Sequence, residues 1–163
     1  NYLHLNLSKF KYLDCFLILK IYFYKKTMND RHIDLLKIRP KINKVKDFPN
    51  MSDDERFQNE TIRPILKLQN PLFILVFKNY IEKRKRIFYD LSLDKKMIYI
   101  ESSIVKDQNF QNSLKGIIIG HFTVAEYRQY LLNFSSLNKR MMNMLIKRLQ
   151  NQIEVFDLSL SSK

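Results

Sequence analysis

Glycine occurs only twice in these 163 residues, and alanine once. A chain so poor in glycine has few positions for left-handed turns or for close backbone approach to a phosphate. A dinucleotide fingerprint, a phosphate loop and a nucleophile elbow each need more than it has. Much of nucleotide-cofactor and hydrolase chemistry is thereby excluded. Both glycines lie in Gly116-Ile117-Ile118-Ile119-Gly120, four apart and so on one face of a helix. Each costs a helix about 1 kcal/mol relative to alanine, which calls for a compensating role. Two roles fit: tight packing against another helix, or the floor of a ligand cleft with Lys115 and His121 at its rim. Lys115, Gly116, Gly120 and His121 form a candidate binding face.

Helical signals dominate the remainder. Ser52-Asp53-Asp54-Glu55 and Thr123-Val124-Ala125-Glu126 both match the capping box, in which hydroxyl and carboxylate satisfy each other's backbone amides. Pro64 and Pro71 fit first helical turns, where a missing N–H costs nothing. Asn70, Ser92, Asp107, and Ser135 or Ser136 are further cap candidates. The run Leu72–Ile81 is apolar nearly all round, predicting a helix buried on most sides. Its end, Lys83-Arg84-Lys85-Arg86, places cations at the negative end of the helix dipole. Met97–Ile104 is the strongest strand competitor, but Leu93, Met97, Ile100 and Ile104 keep helical spacing. On the helix after Thr123 the apolar set is Val124, Tyr127 and Leu131. The last helix carries Leu137, Met141, Met144, Leu145, Leu149, Ile153 and Phe156 on one face. The fold class expected is all-α, a single-domain bundle of five or six helices over residues 52–156, with 157–163 as a tail.

The N-terminal region reads differently. Residues 1–27 contain 16 Phe, Tyr, Ile, Asn or Lys residues, whose codons are AT-rich, and the first Met is Met28. They are expected to be translated upstream sequence or a leader. The apolar stretch Phe16–Tyr24 is too short to span a bilayer, and no small-residue cleavage site follows it. Residues 28–51 carry Pro40 and Pro49 and a basic run from Lys37 to Lys46. They read as a short helix at Asp30–Ile38 followed by an extended basic arm.

Lysine and arginine number 29 against 16 acidic residues, a formal net charge of +13. On the last helix Lys139, Arg140, Lys147 and Arg148 recur two turns apart and are candidate phosphate contacts, which implies salt-dependent binding. The alternative is a solvated face. One cysteine and three histidines, His32 and His121 among them beyond the leader, do not make a zinc site of familiar spacing. No catalytic residue, cofactor or metal ligand is assigned.

The segments Phe57–Asn70, Ser113–Gly116 and Leu137–Met144 resemble a small family of flavobacterial (Bacteroidetes) proteins often labelled glyoxalase. The resemblance covers about Met28–Phe156, and no chemistry attaches to its motifs. The label implies a small-molecule lyase. Metal-dependent glyoxalases bind their metal through side chains on paired βαβββ modules, whereas the patterns here are helical. The function expected is therefore a cytoplasmic, non-enzymatic binding or regulatory protein with a nucleic-acid or protein partner and no membrane partner. A glyoxalase-type lyase is the alternative.

Overall fold

The computed structural model describes residues 17–20, 30–42 and 51–157. Two compact units divide the chain, Asn1–Ile38 and Arg39–Lys163. In the first, residues 17–20 are helical, and residues 30–38 form helix α1, where the sequence predicts one. Lys37 and Asp34 lie 3.9 Å apart on its exposed surface. Of the expected leader only residues 17–20 are described; most of the basic arm, 43–50, and the tail 158–163 lie outside the described residues.

The described residues of the second unit are all-α: α2 Asp53–Phe57, α3 Arg63–Leu68, α4 Asn70–Lys83, α5 Leu93–Lys106, α6 Gln108–Ile119, α7 Val124–Leu132, α8 Phe134–Gln150 and α9 Glu154–Asp157. This is more, and shorter, helices than the five or six expected. Two local causes explain the excess. A π-helical segment, Gln58–Ile62, separates α2 from α3. Its wider turn carries the Arg63 N–H back to the Gln58 carbonyl, immediately before Pro64, whose ring would crowd an ordinary α-turn. The last helix ends at Gln150, and Glu154–Asp157 forms a separate turn. A 3-10 segment, Ile87–Asp90, was not anticipated.

The two capping boxes and the Asp107 cap form as the sequence predicts, whereas the Ser92 side chain makes no cap hydrogen bond and Ser135 and Ser136 lie inside α8, whose cap position is Asn133. Ser52 and Thr123 both complete capping boxes, with Glu55 and Glu126. The Asp107 carboxylate accepts the Phe110 N–H at 3.0 Å. Residues 97–104 are helical within α5. Asn70 does not act as the cap of α4. It exchanges hydrogen bonds with Gln152 at 2.8 and 3.0 Å, tying the start of α4 to the chain beyond α8.

Phe77 of α4 stands at the centre of the core. Its ring lies 5.2 Å from Phe156, 5.9 Å from Phe88 and 6.3 Å from Phe110. One side chain thus joins α4, the 3-10 segment, α6 and α9. Replacing such a ring by alanine costs about 3–5 kcal/mol. Around it α8 buries Leu137, Met141, Leu145 and Leu149. The expectation that α4 is buried on most sides is corrected. Phe73, Phe77 and Ile81 are buried, but Leu72 and Leu75 are exposed, because neighbours cover only one side of the helix.

Candidate functional site

The glycine face is open at Gly116, whereas a Cβ on Gly120 would lie 3.1 Å from the Gly116 carbonyl oxygen. Gly116 and Gly120 are both exposed, and a Cβ on Gly116 would meet nothing within 4 Å. Gly120 closes α6 in an ordinary right-handed conformation, φ −58° and ψ −19°. No packed neighbour accounts for Gly116, and at Gly120 the constraint is the close carbonyl and not a left-handed turn. Lys115 is half-buried beside them.

His121 is held from both ring nitrogens. Nδ1 lies 2.8 Å from the Ile117 carbonyl, which can only accept, so Nδ1–H donates. Nε2 then accepts from the Gln69 side-chain amide at 2.7 Å. A histidine so occupied cannot bind a metal without breaking one of these bonds. The His121 backbone carbonyl accepts from the Arg39 guanidinium.

Arg39 also forks onto Glu126, pairing with Oε1 and donating to Oε2 at 2.8 Å. Thr61 Oγ1 donates to the same carboxylate at 3.0 Å, and the Thr123 N–H at 2.7 Å. Burial pushes the Glu126 carboxyl up. The bonds from Arg39, Thr123 and Thr61 outweigh it, so the group titrates below its usual range. Arg39 belongs to the run read as an extended basic arm; its guanidinium is spent inside the protein.

The candidate phosphate contacts on α8 separate into two kinds. Lys139 and Lys147 are exposed. Arg140 is half-buried, donating to Gln58 Oε1 at 3.1 Å and standing 4.0 Å from Asp54. Arg148 is half-buried against Asn70 Oδ1 at 3.4 Å, and burial lowers its pKa.

A second basic region is built where α4 and α5 end. Arg84 and Arg86 both return their N–H groups to the Ile81 carbonyl. Lys85 and Arg86 sit in the left-handed region, φ 60° and 59°, a conformation that costs a side-chain-bearing residue about 1–2 kcal/mol. Arg84 lies over the Tyr80 ring at 5.0 Å and donates to Asp107 Oδ2 at 2.6 Å. Arg86 pairs with Glu82 at 3.4 Å. Lys83, Lys85 and Lys106 are exposed.

These residues border two depressions that share Tyr80, Arg84 and Ser102, of about 470 and 430 Å³. Tyr99 and Ser103 line the first, Lys106 and Asp107 the second. Burial raises the Tyr80 pKa, so its hydroxyl stays a donor. The arrangement offers exposed ammonium groups around hydroxyls and tyrosine rings, which suits an anionic ligand. The sequence marks Lys83–Arg86 by charge alone. Tyr80, Tyr99, Ser102 and Lys106 carry no such signal, because only tertiary packing brings α5 beside the end of α4.

Among the described residues no group of three or more His, Cys, Asp or Glu side chains could hold a metal. Among the same residues no helix is long and apolar enough to cross a membrane. Comparison of the chain with protein-family models, with curated proteins and with solved structures gives no match.

Proposed function

We propose that the protein is a cytoplasmic helical bundle that binds nucleic acid without catalysing a reaction. The observation that carries this reading is the basic cleft, where Lys83, Lys85 and Lys106 stand exposed around Tyr80, Tyr99 and Ser102. Phosphate binding by lysines needs no fixed fork geometry, only several ammonium groups within reach of one strand. Lys139 and Lys147 on α8 add exposed cations. The glyoxalase-type alternative asks for a free histidine or a metal, and the double engagement of His121 weighs against it.

The test is fluorescence-anisotropy binding to DNA and RNA oligonucleotides across a salt series. Affinity should fall linearly on a log–log plot. Each lysine of the cleft changed to alanine should flatten the slope by about 0.9 per lost phosphate contact. Absence of binding at low salt overturns the proposal. Activity towards thiol adducts of aldehydes that disappears in His121→Ala would favour the lyase.

A further inference from the structure

Helix α7 is exposed along the stripe the sequence marks as apolar. Val124, Tyr127 and Leu131 are 48%, 43% and 52% exposed, and Leu132 and Phe134, at the corner with α8, are 80% and 56% exposed. Tyr130 is the one buried residue of this helix. A large aromatic side chain offers roughly 150–250 Å², so these five expose on the order of 500 Å² of apolar surface. A patch of this size is at the upper end of what a single chain exposes, and such patches are often functional.

Charge indicates what covers the patch. Between Lys115 and Lys139 the only charged residues are Glu126 and Arg128, in a chain of net charge +13. This stretch is less basic than the chain around it, so a second copy meets less repulsion here than at the basic cleft. Glu126 is already committed to Arg39. Arg128, one turn on from Val124, is the single cation within the stripe and needs an acidic partner when desolvated. Beside the same corner stands the acidic first turn of α2. Asp54 accepts from Asn133 at 3.0 Å and from Ser136 at 2.6 Å. Asp53 and Glu55 next to it are exposed, with Arg56 offsetting only part of their charge. The surface therefore carries both halves of a self-complementary contact, as a two-fold interface requires.

We infer that the α7 stripe and the α7–α8 corner are the interface of a homodimer, with Arg128 of one copy facing the acidic turn of α2 in the other. The area agrees with this assignment. A standard interface takes about 800 Å² from each partner, and the patch can supply the apolar centre of one, with the polar residues around it as the rim.

Sedimentation velocity of the nuclease-treated full chain tests the inference. A reversible dimer with a dissociation constant of about micromolar order is expected. Leu132→Glu should weaken self-association by about 100-fold through burial of a carboxylate, with the far-UV spectrum and Tm unchanged because Leu132 is exposed. Arg128→Glu should weaken the dimer and Arg128→Glu with Asp53→Arg should restore it. A monomer at all concentrations, a dimer that survives both Leu132→Glu and Phe134→Ser, association that disappears with nuclease, or pairing of this face only with a different protein overturns it.

Discussion

The guanidinium of Arg39 grips the carboxylate of Glu126 across 87 residues of chain, with the two side chains only 6% and 16% exposed. The same carboxylate closes the capping box of α7 through the Thr123 N–H. A local signal, the helix start, and a long-range tie thus share one side chain. Breaking the pair leaves a buried cation without its partner. Glu126→Ala should therefore destabilise the protein by about 3 kcal/mol or more, read as a lower midpoint in urea unfolding. Glu126→Gln retains one acceptor for the cap and should cost less.

The pair also sets a pH dependence. The Glu126 carboxyl titrates lower in the folded protein than in the unfolded chain. Its contribution is therefore complete above the unfolded value, near 4.3 for glutamate, and is lost as pH falls towards the folded value. Asp54 is lowered likewise, first by its hydrogen bond from Ser136, and Asp107 by the Phe110 N–H. Thermal unfolding at stepped pH should show Tm falling more gently below about pH 4 in Glu126→Gln than in the parent. An unchanged acid limb would assign the loss to other carboxylates.

Gly116 lies inside α6, exposed, with open space where a Cβ would stand. Gly116→Ala should stabilise the protein by up to about 1 kcal/mol, visible as a higher Tm. If a ligand uses this face, the same variant should bind it less well while melting higher, which separates a functional glycine from a neutral one.

On α8, Lys139 and Lys147 differ from Arg140 in what alanine removes. Lys139→Ala and Lys147→Ala should leave stability within about 0.5 kcal/mol of the parent, as for exposed sites elsewhere. Arg140→Ala loses a hydrogen bond to Gln58 and an ion pair with Asp54 and should cost about 1 kcal/mol. If nucleic acid contacts this helix, the lysine variants should weaken binding at unchanged stability.

The parts of this protein legible in sequence are those that depend on neighbours a few residues apart. The capping boxes at Ser52 and Thr123, the Asp107 cap and the helical period of 93–104 are set by bonds and spacings within one or two turns. The same residues form them whatever packs nearby. Burial is another matter. The apolar positions of α4 and α7 read alike as core, yet Leu75 and Leu131 face outward, because which side of a helix is covered depends on where the other helices lie. For the same reason only the folded arrangement takes Arg39 out of the basic arm and into a pair with Glu126. It also engages both nitrogens of His121 and brings Ser102 and Lys106 to the cationic end of α4. A pattern of residues states what each side chain can do; which partner it meets follows from contacts among segments far apart in the chain, and no local spacing encodes those.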